Sequence, residues 1–187
     1  MDDDFRKALA AGDAAAVVRV YDQHGPAMFR VAYRLVGRRH DAEDIVSEVF
    51  AAMVRHRERL VAVTDVKAYL FTSLRHVAGR VLRSRRRQAV AGLDESCLSA
   101  ADASRASAVA DGPGDVLEHV EGTEETERLW RMVGQLPEEQ RDVLTLKIQG
   151  GLSFKEIGAV CGISANTAAS RYRYALEKLQ RMAEKLR

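Results

Sequence analysis

Leu152-Ser153-Phe154-Lys155-Glu156-Ile157-Gly158-Ala159-Val160-Cys161-Gly162-Ile163-Ser164-Ala165-Asn166-Thr167-Ala168-Ala169-Ser170-Arg171-Tyr172-Arg173 decides the reading of this chain. Two helix starts sit in it, at Ser153 and Ser164, with a glycine-marked turn between them. Ser153 and Glu156 have capping-box spacing: the serine accepts from a backbone N–H and the glutamate reaches back. Phe154, Ile157 and Val160 repeat at helical spacing. Gly162 supplies the turn, Ile163 anchors it, and Ser164 caps the next helix. That helix presents Asn166, Thr167, Ser170, Arg171, Arg173 and Tyr174. The pattern predicts a helix-turn-helix whose second helix, opened by Ser164, enters a DNA major groove. A plain helical hairpin is the competing reading, disfavoured by two arginines among small polar residues. Phe154, Ile157, Val160, Ile163, Tyr172, Leu176 and Leu179 are read as core. Arg171 fits either a guanine edge or a phosphate.

Working upstream, Glu138 to Ile148 predicts a helix with Val143, Leu144, Leu146 and Ile148 as core, ended by Gly150-Gly151 and preceded by a break at Gln135-Leu136-Pro137. Helix is expected from near Asp115, with Trp130 as a packing anchor. Residues 88–112 lose periodicity and are rich in Ala, Ser, Asp and Gly, so they read as a linker. A flexible chain of that length spans roughly 25–30 Å, enough to hold two domains apart without fixing their orientation.

The charge pattern agrees. The net charge of +2 over 187 residues says little. Residues 1–87 hold 17 Lys and Arg against 11 acids, residues 88–127 hold 1 against 10, and residues 128–187 hold 11 against 6. Two basic blocks flank an acidic one, as expected for two nucleic-acid-facing modules joined by a different kind of segment. The expected fold is all-α: two small helical domains at 1–87 and 115–187, with a flexible acidic linker over 88–114.

In the first block, a short leading helix, then Asp13–Gln23 and Pro26–Val36, are predicted, broken by Gly25-Pro26. Asp41 is read as the N-cap of the next helix, with Ile45, Val49, Ala52, Met53 and Phe50 inward. A loop is expected around Val61–Thr64. Asp65 then caps a long helix from Val66 to about Arg87. Its segment 69–87 holds Tyr69, Phe71, Arg75, His76, Arg80, Arg83, Arg85, Arg86 and Arg87 and no acid. The arginines can neutralise phosphates and the aromatics can stack on unpaired bases. Equally, the aromatics can be core and the arginines a solvated helix end.

Other chemistries find no support. No apolar run approaches the roughly 20 residues of a membrane span. The acidic start Met-Asp-Asp-Asp is unlike a secretory leader, and a cytoplasmic protein is expected. Cys97, Cys161 and His119 lack metal-site or redox-pair spacing, and Cys161 is read as core. No phosphate loop, HExxH pattern or nucleophile elbow occurs, so no catalysis, cofactor or metal is expected.

Two separated motifs resemble one family. Phe29-Arg30-Val31-Ala32-Tyr33-Arg34-Leu35-Val36-Gly37 followed by Asp41-Ala42-Glu43-Asp44-Ile45-Val46-Ser47-Glu48-Val49-Phe50 is similar to region two of the extracytoplasmic-function (ECF) sigma factors of bacterial RNA polymerase, in the sigma-70 family. Leu136-Pro137-Glu138-Glu139-Gln140-Arg141-Asp142-Val143-Leu144 and the helix-turn-helix resemble region four. The resemblance implies a promoter-directing subunit with core RNA polymerase, promoter DNA and an inhibitory anti-sigma protein as partners. It implies that Asp41, Glu43, Asp44, Ser47 and Glu48 dock on the clamp helices of the largest polymerase subunit, and that the beta flap is a second contact. Tyr69, Phe71, Arg75, His76, Arg80 and Arg83 would handle the minus-ten element, and the helix after Ser164 would read minus-thirty-five. Ser47 stands where the family often has Gln, Tyr69-Leu70 where Trp-Leu is common, His76 and Arg80 at frequent Asn and Asp positions, and Ala168-Ala169 in place of Val-Lys. The promoter sequence therefore does not carry over. Two alternatives remain at this point: a sigma-like decoy that binds an anti-sigma protein, and a stand-alone dimeric helix-turn-helix regulator.

Overall fold

The computed structural model describes residues 3–91 and 124–185. Among them every regular element is helical: α1 (Asp3–Ala11), α2 (Ala14–Val36), α3 (Arg39–Arg55), a 3-10 turn (Arg57–Ala62), α4 (Val66–Ala91), α5 (Glu124–Gly134), α6 (Glu138–Ile148), α7 (Phe154–Cys161) and α8 (Ala165–Glu184). The helix start expected near Asp115, with Cys97, His119 and most of the linker, lies outside the described residues.

The first unit packs α2, α3 and α4 against one another, with α1 laid on the 3-10 turn. Met28, Val31, Ala32, Ile45, Val49, Met53, Leu70 and Leu74 fill its centre. Helix α2 does not stop at Gly25-Pro26 as the sequence suggested; Pro26 lies inside it. Proline removes one backbone donor, yet the buried positions Ala16, Val20, Met28, Val31, Ala32 and Val36 continue on both sides of it. Gly37, at φ 74°, ends the helix with its N–H bonded to the Tyr33 carbonyl.

Helix α3 begins at Arg39, two residues before the expected cap. Its N-cap, Arg38, makes no side-chain cap bond, and Asp41 turns instead to Arg85 at the far end of α4. The predicted loop at Val61–Thr64 is preceded by the 3-10 turn, which buries Leu60. Asp65 caps α4 as expected, accepting from the Ala68 N–H at 2.9 Å, and α4 runs four residues past Arg87.

The second unit sets α6, α7 and α8 together, with α5 against α8. Val133, Leu136, Leu144, Ala175 and Leu179 form a core of their own. Ile148 and Leu176, read as core from the sequence, are exposed.

The two units are not held apart. One continuous apolar core runs from α2 and α3 through Leu70, Phe71, Leu74 and Ala78 of α4 into Val143, Leu146, Leu152, Ile157, Val160 and Ala168. Helix α4 makes this possible because its apolar arc is wide enough to face both units. At 100° per residue, Leu70 and Leu74 point one way and Phe71 and Ala78 are rotated toward the other.

Candidate nucleic-acid interface

Local rules build the helix-turn-helix. Ser153 and Glu156 form a reciprocal capping box at the start of α7. Gly162 sits at φ 68°, the left-handed region that favours glycine, and donates to the Gly158 carbonyl. Gly158 lets the turn close: a Cβ there would lie 2.7 Å from the Ile163 carbonyl oxygen. Ser164 caps α8, accepting from the Thr167 N–H at 3.0 Å, and its hydroxyl also meets that of Thr167 at 2.8 Å. Each such cap stabilises a helix start by ~1 kcal/mol.

Helix α8 turns Ala168, Ala175 and Leu179 inward. Asn166, Thr167, Arg173 and Tyr174 are exposed on the opposite side and Ser170 is half-buried. Ala168 is fully buried, so its side chain packs in the core and not on the outer face. The two arginines differ sharply. The Arg171 side chain is 27% exposed and pairs with Glu139 at the start of α6. Arg173 is 65% exposed and lies over the Tyr174 ring at 5.3 Å. Arg173 lies 3.9 Å from Glu177 one turn on, but it is the more exposed of the two arginines on this face.

Helix α4 carries a second surface. Tyr69, Ser73, His76, Arg80, Arg83 and Arg87 follow one another at steps of three and four residues, and all are exposed or half-buried. They form one stripe along the helix. Arg87, already grouped with the arginines of 69–87, ends this stripe, and Ser73, which the sequence reading did not single out, lies on it at the same spacing. Phe71 and Arg75 leave the stripe. Phe71 is fully buried, and Arg75 donates from Nε and Nη2 to Asp142 Oδ2, each at 3.2 Å. Burial pushes the Asp142 carboxyl above its ordinary range, against the pull of Arg75.

The acidic helix α3 exposes Glu43, Asp44, Ser47 and Glu48 on one face, while Asp41 is half-buried. Glu43 accepts from Arg39 at 2.9 Å, His40 lies 3.6 Å from Asp44, and Glu48 pairs with Arg80. Asp41 and its partner Arg85 instead tie α3 to α4, and Arg85 also donates to the Val36 carbonyl at 2.9 Å. An apolar edge borders the acids, which the sequence reading overlooked. Tyr21 and Val54 are 52% and 38% exposed, and Tyr21 meets Phe50 edge-on at 5.0 Å.

Two family matches cover these surfaces. Sigma-70 region 2 matches residues 20–88, which include α3 and the α4 stripe, and Sigma-70 region 4 matches residues 126–179, which include the helix-turn-helix. The ECF RNA polymerase sigma factor SigL of Mycobacterium tuberculosis is 29% identical over 181 residues, covering 95% of this chain and 94% of its own. The chain belongs to the ECF group of the sigma-70 family. ECF RNA polymerase sigma factor EcfG of Rhodopseudomonas palustris is 29% identical over 154 residues, 82% of this chain and 77% of EcfG. Two solved structures share the fold, each with a TM-score of 0.67. One is CnrH in complex with the cytosolic domain of CnrY, at 20% identity over 98% of this chain and 97% of that one. The other is RpoE of Bartonella quintana in complex with the anti-sigma factor NepR, at 21% identity over 89% and 95%. As an ECF sigma factor, the chain binds core RNA polymerase and directs promoter-specific transcription initiation.

Among the described residues, no helix is long and apolar enough to cross a membrane, and no group of three or more His, Cys, Asp or Glu side chains is placed to hold a metal ion.

Proposed function

We propose a division of labour among the three surfaces. The outer face of α3, Glu43, Asp44, Ser47 and Glu48 with the apolar edge of Tyr21 and Val54, docks on the clamp helices of the largest polymerase subunit. Asp41 acts through its pair with Arg85, holding that face in place. The α4 stripe from Tyr69 to Arg87 engages the minus-ten element: its arginines neutralise phosphate and Tyr69 stacks on an unpaired base, a contact worth about 1–3 kcal/mol. The outer face of α8, led by Arg173 with Asn166, Thr167, Ser170 and Tyr174, reads minus-thirty-five, while the second unit rests on the beta flap. The chain works in the cytoplasm and carries out no bond chemistry of its own, which the polymerase supplies.

The observation that carries this reading is the α4 stripe, where His76, Arg80, Arg83 and Arg87 are exposed along one helix face with Tyr69 half-buried at its start. A decoy that only captures an anti-sigma protein has no use for such a face. An anti-sigma protein is nevertheless an expected partner, since the RpoE structure of similar fold is a complex with one. Permanganate footprinting of a cognate promoter with holoenzyme tests the assignment. Unpaired thymines at the minus-ten element should appear with the wild type and be lost with Tyr69→Ala and Arg83→Ala while core binding persists. Undiminished melting by both variants would overturn it.

A further inference from the structure

Arg171 sits at the margin of the recognition helix. At 100° per residue it falls between Thr167 and Tyr174 on one side and Ala168 and Ala175 on the other. The first two are exposed and the second two are buried. Its side chain is 27% exposed, and Nη2 lies 2.5 Å from Oε2 of Glu139. Glu139 belongs to the first turn of α6, so this acid reaches the recognition helix from a different element. Its own side chain is 68% exposed. Glu138 and Glu139 together open α6, and either carboxylate suits the positive end of that helix. Helix stability alone gives no reason for one of them to meet Arg171. Arg173 is placed differently: Glu177 lies on its own helix, 3.9 Å away.

The pairing changes what Arg171 can do on DNA. A guanidinium carries five N–H donors in a rigid fork. One nitrogen is committed to Glu139, and the rest of the fork is left for a second acceptor. A phosphate is a poor one here. It would set its negative charge against the Glu139 carboxylate, and a neutralised arginine has little charge with which to displace counterions. A guanine edge is a good one, because O6 and N7 are neutral acceptors that a fork can meet together. The carboxylate also orders the long arginine side chain before DNA arrives, which lowers the cost of ordering it on binding.

We propose that Glu139 is a specificity-determining residue for the minus-thirty-five element. It cancels the charge of Arg171 and holds the guanidinium so that this arginine reads a guanine edge and does not anchor on phosphate. The inference rests on the reading that the outer face of α8 meets the minus-thirty-five element. Glu139 acts through Arg171 as a positioning residue. It lowers affinity for DNA of any sequence and raises discrimination, since specificity is a difference of affinities and a repulsive element against the wrong site contributes to it.

Holoenzyme binding to two duplexes tests this. The duplexes carry a cognate promoter and differ only in a matched or scrambled minus-thirty-five element, and fluorescence anisotropy follows binding across a salt series. Glu139→Gln keeps the shape and removes the charge. It should tighten binding to the scrambled duplex about 3–10-fold and steepen its slope of log affinity against log salt by about 1, as one phosphate contact is gained. Binding to the matched duplex should tighten less, so the ratio between the two falls. Adding Arg171→Ala to Glu139→Gln should return the slope to that of the wild type. Arg171→Lys keeps the charge without the fork and should also lower the ratio, which gives a second, independent readout. A merely structural pair would shift both duplexes together and leave ratio and slope alone. Unchanged ratio and slope in Glu139→Gln, or a wild-type ratio in Arg171→Lys, would overturn the role of Glu139. No preference of the wild-type holoenzyme for the matched duplex would instead overturn the reading of α8.

Discussion

Arg75 and Asp142 lie 67 positions apart in the chain, yet two hydrogen bonds of 3.2 Å join them. The pair links the long basic helix of region two to the first described helix after the Leu136-Pro137 break in region four. Arg75 is only partly buried, so its charge can turn to water when the partner is lost. Asp142→Ala should therefore lower the stability of the chain by about 1–2 kcal/mol, less than a fully buried pair would cost. Chemical unfolding of the full chain measures this. A loss well above 3 kcal/mol would mean that the pair behaves as a fully buried one.

Within the recognition helix, the structure moves the emphasis from Arg171 to Arg173. Arg173→Ala should weaken binding to a minus-thirty-five duplex and reduce the slope of log affinity against log salt by about 1, the signature of one lost phosphate contact. Arg171→Ala breaks the pair with Glu139 and should change the slope less. Fluorescence anisotropy across a salt series separates the two, and equal slopes for both variants would contradict the placement.

Gly158 offers a test of the turn itself. A Cβ there meets the Ile163 backbone oxygen at 2.7 Å, and backbone cannot step aside as a flexible side chain can. Gly158→Ala should cost about 1–3 kcal/mol, as overpacking does, despite the higher helix propensity of alanine. A thermal melt at or above the wild type would refute the close approach.

His24 lies in the groove between the units, beside Lys67, Tyr69 and Glu156. Burial, then the Lys67 ammonium, hold its imidazole below the ordinary value, with Asp65 and Glu156 opposing. The unfolded chain takes up that proton near pH 6.5 and the folded chain resists it. Stability from neutral His24 is thus present above about pH 6.5 and is lost as pH falls from there toward the lowered folded value. Melting temperatures between pH 7.5 and 5.5 should drop less for His24→Gln than for the wild type. Identical drops would show that His24 does not contribute.

The docking face makes its own prediction. Tyr21, edge-on to Phe50 of α3, and Val54 of the same helix expose apolar surface, and an exposed apolar edge on a charged helix is a usual mark of a contact surface. Val54→Asp keeps the acidic character but removes the apolar edge. It should weaken core polymerase binding about tenfold, with DNA binding by the isolated chain unchanged. Unaltered core affinity would remove the apolar edge from the interface.

What the sequence made legible was local. Ser153 with Glu156, Gly162, Ser164 and Asp65 act within three or four residues, and each does in the structure what its spacing suggested. What it concealed was non-local. Asp41 looks like a cap until Arg85, 44 positions on, arrives beside it. Arg171 looks free until Glu139 is folded against it. Pro26 looks like a break because the propensity of one residue is visible in sequence, while the core packed on both halves of α2 is not. Phe71 read as a base-stacking candidate from its neighbours, and the Gly150 turn that covers it comes from the other unit.

Run-off transcription with purified core polymerase, on a promoter mapped after raising the level of this chain in cells, tests the central claim most directly. The account predicts a promoter-specific transcript with the wild type, abolished by altering either promoter element, and strongly reduced by Tyr69→Ala and by Arg173→Ala. Stable core binding without any promoter-dependent transcript would contradict it.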